Sequence, residues 1–201
     1  MEYVGDVFYD YGGALYANIT NKCPCRCEFC IRDMVDGVGE ADTLWLKREP
    51  SLDEIKALID EENLNGYDEL VFCGYGEPTE RLSELLEVAK YAKAKNPSIR
   101  VRINTNGLAD LINNRDTTKE LAGVIDAVSV SLNAKNEDDY FKLCHPKFGK
   151  KSYRAILDYT RRLKESIEDT TMSVVGFSLP ADDIASCKKI AEEIGVKFRV
   201  R

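Results

Sequence analysis

The chain over residues 69–97 is ELVFCGYGEPTERLSELLEVAKYAKAKNP. Residues 69–74 form a short apolar run that glycine ends, which predicts a buried strand. Apolar side chains then recur at helical spacing over residues 82–95, and Asn96 and Pro97 end the predicted helix. A strand followed by a turn and a helix is one βα unit, the element from which parallel sheets are built.

The same alternation of short apolar runs and helical stretches continues along the chain. Five further strands are predicted at residues 15–20, 100–105, 127–132, 172–177 and 196–200. Ser51 and Glu54 have the spacing of a capping box at the start of another helix. Further helices are predicted at residues 118–123, 152–165 and 183–194, the last with Gly195 as its C-cap.

The chain is short for a complete barrel of such units. An eight-unit barrel normally needs about 250 residues, whereas this chain has 201. Its six units therefore predict an α/β fold: a partial, open TIM-type barrel of six βα units around a parallel sheet. We expect residues 1–201 to form a single domain, with the reacting groups at the carboxyl ends of the strands.

Composition and charge exclude several classes of protein. The chain has 28 basic and 35 acidic residues and a formal net charge of −7, which disfavours nucleic acid as the main partner. No apolar stretch has the length of a membrane span, and the first residues lack the order of an export signal. We therefore expect a cytoplasmic protein that does not contact a membrane.

Four of the seven cysteines lie within eight residues: Cys23, Cys25, Cys27 and Cys30. Cysteines in a chain without an export signal stay reduced, so this cluster favours a metal site over disulfides. The spacing C-x3-C-x2-C can hold three irons of a [4Fe-4S] cluster and leave the fourth iron open to a small chelating molecule. Cys25 is interpreted as a small buried side chain.

A zinc site is the alternative that the cysteines leave open. Four thiolates can bind Zn²⁺ tetrahedrally, but structural zinc sites usually take two ligands from each of two separated segments. The chain has no second cysteine pair, and Cys144 with His145 is a poor substitute. The spacing favours iron–sulfur over zinc without excluding zinc.

Two motifs, in this chain order, resemble the radical S-adenosylmethionine (SAM) superfamily. The cysteines match its C-x3-C-x-Φ-C motif with Phe29 as the aromatic residue, and Gly74-Tyr-Gly-Glu-Pro78 is a GxGEP variant of its GGEP motif. The resemblance covers nearly all of the sequence. Residues 17–32, ANITNKCPCRCEFCIR, look more narrowly like the small radical SAM proteins associated with TatD-family proteins.

The resemblance implies a radical SAM enzyme. Cys23, Cys27 and Cys30 would hold a [4Fe-4S] cluster whose open iron binds SAM. An external electron donor would supply one electron, and SAM would be cleaved to methionine and a 5′-deoxyadenosyl radical that abstracts hydrogen from a substrate. The sequence does not identify that substrate, which is a metabolite, a peptide or a protein.

The resemblance also implies which residues contact SAM. These predicted cofactor-binding residues are Phe29, Gly74, Gly76, Glu77, Asn104, Asn106, Ser129, Ser131, Asn133 and Gly176. Glycines let the backbone approach a ligand closely, and polar side chains at strand ends can reach ribose hydroxyls and a carboxylate. Each of these residues also has a purely structural alternative. Gly74 and Gly76 could form a plain turn, Asn106 could belong to an Asn-Gly turn, and the serines could simply pack within a strand.

Two further pairs of residues have open roles. Cys144 and His145 lie in the predicted loop after the fourth strand, and we predict that one of them contacts the substrate. Arg199 and Arg201 alternate at the end of the last strand and either face an anionic ligand or are solvated. The competing functions are a non-catalytic zinc or iron–sulfur interaction module and a nucleotide-binding α/β protein.

Overall fold

The structure, a computed structural model, describes residues 3–201. Within those residues one sheet has seven strands in chain order. They are β1 (Phe8–Tyr11), β2 (Ala14–Ala17), β3 (Glu69–Phe72), β4 (Arg100–Thr105), β5 (Ala127–Ser131), β6 (Asp169–Val174) and β7 (Lys197–Val200). The pairs β2–β3, β3–β4, β5–β6 and β6–β7 are parallel. The predicted α/β fold with an open, mostly parallel sheet is confirmed, because β1 and β7 form its two edges.

β1 is an additional strand that the sequence patterns used above do not predict. It pairs antiparallel with β2, from Phe8 opposite Ala17 to Tyr11 opposite Ala14. Gly12 and Gly13 join the two strands with φ angles of 62° and 81°. A two-residue hairpin turn requires this left-handed backbone, so the Gly-Gly pair was the available signal.

Seven α-helices lie in the described part of the chain. They are α1 (Leu52–Glu61), α2 (Leu82–Lys95), α3 (Ala109–Asn113), α4 (Thr118–Leu121), α5 (Glu137–Cys144), α6 (Lys151–Ser166) and α7 (Ala181–Ile194). The predicted capping box starts α1, because the Ser51 side chain accepts from Glu54 N and the Glu54 side chain accepts from Ser51 N. Gly195 ends α7 in the left-handed conformation, as predicted.

The prediction of a loop at Cys144 was wrong, because Cys144 is the last residue of α5. The Asn136 side chain caps it by accepting from Asp139 N, and three acidic residues occupy its first turn, where the helix dipole favours negative charge. Only Tyr140 and Cys144 of this helix are buried. Two buried residues make a weak periodic signal, so Cys144 ends a helix that sequence spacing did not reveal.

The chain divides into two compact units. Unit 1 comprises residues up to Cys23, then Ile31–Ile103 and Gly123–Ile125. Leu15, Leu70 and Phe72 of its strands are buried, and α1 packs against α2. The first part of the fold therefore has its own core.

Unit 2 comprises Pro24–Cys30, Asn104–Ala122 and Asp126–Arg201. In this unit α6 and α7 pack against β6, and α7 also packs against β7. No helix between residues 3 and 201 has the length and hydropathy that a membrane span needs. The single domain predicted over residues 1–201 stays a prediction.

Candidate functional site

The GxGEP turn of unit 1 packs against the residues that lead into Cys23. A Cβ atom on Gly76 would lie 2.1 Å from the carbonyl oxygen of Thr20 and 2.7 Å from that of Lys22. Glu77 N donates to the same Lys22 oxygen at 2.8 Å. Gly76 is thus required because the protein's own backbone occupies the space of a side chain.

Gly74, two residues earlier, is required because a buried side chain occupies the space that its own side chain would need. A Cβ atom there would lie 2.1 Å from Oδ1 of Asn18, a buried residue directly after β2. The Asn18 amide donates to the carbonyl of Leu44 at 2.8 Å, which holds this side chain in place. The predicted approach of Gly74 and Gly76 to a ligand stays a prediction, since the close approach seen here is to the chain itself.

Glu77 and Pro78 start a short 3-10 helix, Pro78–Arg81. The buried Glu77 carboxylate accepts from Thr79 N at 3.2 Å and from Thr79 Oγ1 at 2.7 Å. These bonds fix the direction in which the chain leaves the turn. The predicted contact of Glu77 with SAM would be made by a side chain that is already oriented.

The residues before Cys23 also carry a small charged network. Thr20 Oγ1 donates to Glu49 at 2.6 Å, and Lys22 Nζ pairs with Glu49 at 2.9 Å. Burial opposes ionisation of Glu49, but the hydrogen bonds from Thr20 and Lys22 outweigh it and keep the pKa of Glu49 below its ordinary value. The carboxylate thus stays charged and holds both residues.

Arg81 is a positioning residue of unit 1 whose role no motif in the sequence indicates. Its side chain is only 9% exposed. Nη1 donates to the carbonyls of Ile19 at 3.0 Å and Pro50 at 2.6 Å, while Nη2 pairs with Glu84 at 2.9 Å. The guanidinium therefore connects the residues after β2 to the start of α2. The residues next to Arg81 in the sequence do not indicate these distant partners.

Replacing Arg81 with methionine should destabilise the protein. The change keeps most of the side-chain volume but removes the donors to two buried carbonyls, which costs about 2 kcal/mol of unfolding free energy. Chemical denaturation measures this loss. Arg154→Met is the matched control, because the Arg154 side chain is 86% exposed, and a loss of equal size in both variants would contradict the positioning role.

In unit 2, residues 24–28 are hydrogen-bonded to the end of α5 and the residues that follow it. Arg26 N donates to the carbonyl of Cys144 at 3.0 Å, and Glu28 N donates to that of Leu143 at 3.0 Å. Lys147 N donates in return to the carbonyl of Pro24 at 2.7 Å. The end of a helix has carbonyls without partners inside the helix, and here the cysteine-rich residues supply the donors.

Cys25 is held in the protein interior by α5. It is 3% exposed, and its Sγ lies 3.8 Å from Oη of the buried Tyr140. Burial, and then the neighbouring Cys25 and Cys144, raise the pKa of Tyr140, so its phenol stays protonated. This placement agrees with the interpretation of Cys25 as a buried side chain and not a metal ligand.

Cys23, Cys27 and Cys30 are half-buried and form no disulfide in the described chain. Cys30 N donates to the carbonyl of Cys27 at 3.1 Å, and Cys27 Sγ lies 3.9 Å from the carbonyl of Cys144. Residues 3–201 contain no ready-made group of three metal-binding side chains. Three accessible soft thiols in eight residues nevertheless fit an iron–sulfur cluster by their chemistry.

Cys144 and His145 differ in their access to a substrate. Cys144 is 1% exposed, whereas the His145 side chain is exposed. His145 ends α5 in the left-handed conformation with φ of 43°, and its Nε2 lies 3.2 Å from Oε1 of Glu28. The pair thus contacts the cysteine-rich residues, and its predicted contact with a substrate stays a prediction.

The remaining predicted SAM-binding residues of unit 2 lie in strands or within two residues of a strand end, apart from Phe29. Phe29, Asn104, Asn106 and Ser131 are half-buried, Ser129 and Asn133 are buried, and Gly176 starts a 3-10 turn after β6. Asn106 Oδ1 accepts from Leu108 N at 2.9 Å, which is the predicted turn alternative. Asn133 has φ of 56°, is 5% exposed, and its Oδ1 has no hydrogen-bond partner within residues 3–201.

An unpartnered buried oxygen is costly unless a ligand supplies the donor. A ligand that donates a hydrogen bond would satisfy Asn133, and the predicted contact of this residue with SAM stays a prediction. Asn133 lies two residues after β5, near the carboxyl ends of the strands, which is where ligands bind in parallel α/β sheets.

A family model described as the radical SAM superfamily matches residues 17–189. The structure is similar to a radical SAM methyltransferase from Sphaerobacter thermophilus, with a TM-score of 0.65 and 15% identity, covering 96% of this chain and 68% of that one. It is also similar to HydG, a maturase of the [FeFe]-hydrogenase, with a TM-score of 0.61 and 18% identity, covering 92% of this chain and 41% of that one. No curated protein matches the sequence. At these identities the two structures establish a shared fold.

Proposed function

The chain belongs to the radical SAM superfamily, and from this membership we propose that it is an enzyme that cleaves SAM reductively to start hydrogen abstraction from a substrate. The observation that carries the proposal is the difference in burial among the four clustered cysteines. Cys25 is buried against Tyr140, so three thiols with the spacing C-x3-C-x2-C are accessible. Three ligands leave one iron of a [4Fe-4S] cluster open for SAM.

Cys23, Cys27 and Cys30 would hold this cluster. When bound, it supplies the electron that splits SAM into methionine and a 5′-deoxyadenosyl radical. The protein contributes position: hydrogen bonds to the end of α5 hold residues 24–28, and the GxGEP turn holds the backbone before Cys23. Reductive cleavage of SAM consumes one electron, so an external electron donor would have to deliver that electron to the cluster.

The proposed SAM contacts follow the strands. Backbone groups at Gly74 and Gly76 and the oriented Glu77 would bind the methionine part. Polar side chains would bind the ribose and carboxylate, and they are Asn104, Asn106, Ser129, Ser131 and Asn133. Phe29 would shield the cluster from water, and Gly176 would lie against the adenine.

Cys144 and His145 remain proposed substrate contacts, with His145 the more accessible of the two. An unchanged product yield in His145→Ala and Cys144→Ala, at intact cluster content, would remove both from this role. The narrower relation to TatD-associated radical SAM proteins rests on residues 17–32 alone and is part of the proposal. A cytoplasmic location is likewise part of the proposal, and it would keep the clustered cysteines reduced.

The experiment that tests the function is anaerobic reconstitution followed by spectroscopy of the reduced protein with and without SAM. We expect about four irons per chain, a change in the electron paramagnetic resonance signal when SAM is added, and release of 5′-deoxyadenosine only with reductant. Stoichiometric zinc in a colourless protein would instead support the non-catalytic interaction module. A reduced cluster whose spectrum does not respond to SAM would also contradict the proposal.

A further inference from the structure

Basic residues collect in one stretch of an acidic chain. Residues 140–157 contain four lysines and one arginine but no aspartate or glutamate. The whole chain has a net charge of −7, so the rest of it is more acidic still. The stretch runs from the second half of α5, through the turn that follows, into the first half of α6. Unit 2 therefore carries a concentrated positive charge.

Three of these lysines are exposed and form no ion pair. They are Lys142, Lys147 and Lys151, and the statement holds for contacts within residues 3–201. The two other basic residues of the stretch each contact an aspartate. A surface charge without an opposite charge beside it keeps its field available to a partner.

The same stretch is hydrogen-bonded to the cysteine-rich residues. Arg26 N donates to the carbonyl of Cys144 at 3.0 Å, and Lys147 N donates to the carbonyl of Pro24 at 2.7 Å. The Arg26 side chain is exposed and forms no ion pair in the part of the chain that the structure describes. We call the following four residues the basic surface: Arg26, Lys142, Lys147 and Lys151.

The carboxylates around the basic surface do not cancel its charge. Glu28 is the one acidic residue among residues 24–30, and its Oε1 lies 3.2 Å from Nε2 of His145. The three acidic residues of α5 occupy its first turn, whereas Lys142 lies in its last turn. One of those three, Asp138, pairs with Lys150. A net positive charge therefore remains beside the cysteine-rich residues.

This position indicates what kind of partner the surface would serve. The proposed function consumes one electron, which has to reach a cluster on Cys23, Cys27 and Cys30. Electron transfer between proteins weakens steeply with the distance between their redox centres, so a donor has to dock close to these cysteines. The basic surface is joined to residues 24–28 by backbone hydrogen bonds, and it therefore lies where such a donor must arrive.

We propose that the basic surface is the docking site of an acidic one-electron carrier protein. The inference rests on the proposed function, which requires an electron from outside the chain. In the transfer the reduced carrier loses one electron and the cluster gains it, and no bond forms or breaks. Opposite charges steer the two proteins together and orient the carrier's acidic side toward the cysteines.

A nucleic acid is the competing polyanionic partner. A long polyanion would extend beyond a surface of four residues and meet the acidic remainder of the chain, which repels it. A small carrier protein contacts only one patch, and electron-transfer partners form small, transient interfaces. Both the charge of the chain and the extent of the basic surface therefore favour the carrier.

Stopped-flow reduction of the reconstituted protein by two reductants tests the proposal. One is photoreduced flavodoxin, a purified acidic flavoprotein, and the other is photoreduced deazariboflavin, a small molecule without an acidic surface. Lys147→Glu combined with Lys151→Glu should slow reduction by flavodoxin at least about tenfold, the lower end of electrostatic steering. Reduction by deazariboflavin and the iron content should not change. With the natural protein, reduction by flavodoxin should slow as the salt concentration rises.

Lys119→Glu combined with Lys189→Glu is the matched control. It changes the net charge by the same amount with exposed lysines of α4 and α7, and both reductants should reduce it like the natural protein. Three results would overturn the inference: no reduction of the natural protein by flavodoxin, equal slowing in both double variants, or equal slowing with both reductants in the Lys147 and Lys151 variant.

Two further outcomes separate the alternatives. Binding of an RNA oligonucleotide that is lost in the Lys147 and Lys151 variant, with reduction by flavodoxin unaffected, would assign the surface to nucleic acid. SAM cleavage with deazariboflavin, together with reduction by flavodoxin that ignores the basic surface, would reject this inference alone. Failure of the natural protein to take up iron would reject the proposed function itself.

Discussion

Cys27→Ala is expected to remove the iron–sulfur cluster and to lower reductive SAM cleavage at least about 100-fold, because loss of a ligand should cost at least as much as loss of a group that only orients a ligand. With only two of the three proposed thiolates left, the cluster would lack a ligand that no nearby thiol can replace, because Cys25 is buried against Tyr140. Iron content after anaerobic reconstitution and release of 5′-deoxyadenosine measure the two effects. We expect the same result for Cys23→Ala and Cys30→Ala.

Two other cysteines provide controls for this prediction. Cys187 is fully buried in α7, and burial, followed by the nearby Asp183, raises the pKa of Cys187 to about 11, so Cys187→Ala should keep its iron. Cys25→Ala should also retain the cluster, at some cost in stability from the buried space it leaves. Loss of iron in Cys25→Ala with retention in Cys27→Ala would show that the ligand set is wrong.

Gly76→Ala is expected to destabilise the protein by about 3 kcal/mol, in the upper range for overpacking a buried site. The new Cβ would lie 2.1 Å from the Thr20 oxygen, and a backbone atom cannot rotate away as a side chain can. For a chain of this size the melting temperature should fall by about 6–12 °C. Because the displaced backbone leads into Cys23, iron uptake should fall as well.

Gly66→Ala is the matched control for Gly76→Ala. Its added Cβ would lie 3.2 Å from Nδ2 of Asn63, the end of a flexible side chain. We expect a change within about 0.5 kcal/mol, as for most substitutions away from special positions. Equal melting temperatures for the two variants would mean that the GxGEP turn does not depend on the close packing described here.

Local patterns were sufficient for most of the strands and helices. The strand predicted at residues 100–105 is β4, Arg100–Thr105, and the helix predicted at residues 82–95 is α2, Leu82–Lys95. Both have a regular apolar period and a clear stop. β6 starts at Asp169, whereas the predicted strand started at residue 172. The start was missed because Thr170 and Thr171 are polar and interrupt the apolar pattern.

Elements whose partners lie far along the chain could not be predicted in this way. α5 has few buried residues, and its importance comes from the backbone bonds that Cys144 and Leu143 accept from Arg26 and Glu28. The role of Arg81 likewise depends on the carbonyls of Ile19 and Pro50. No spacing rule connects residues that meet only after the chain has folded.

The order of βα units, the three-cysteine spacing and the GxGEP turn could all be recognised locally, because periodicity, capping and ligand spacing are properties of neighbouring residues. The burial of Cys25 against Tyr140, in contrast, follows only from the tertiary structure, because the two residues are 115 positions apart in the chain. Long-range packing also places Gly76 against the backbone before Cys23 and Gly74 against the Asn18 side chain, and strand register places polar side chains of β5, β6 and β7 on one face. These features depend on strand register and long-range packing, which local sequence does not specify.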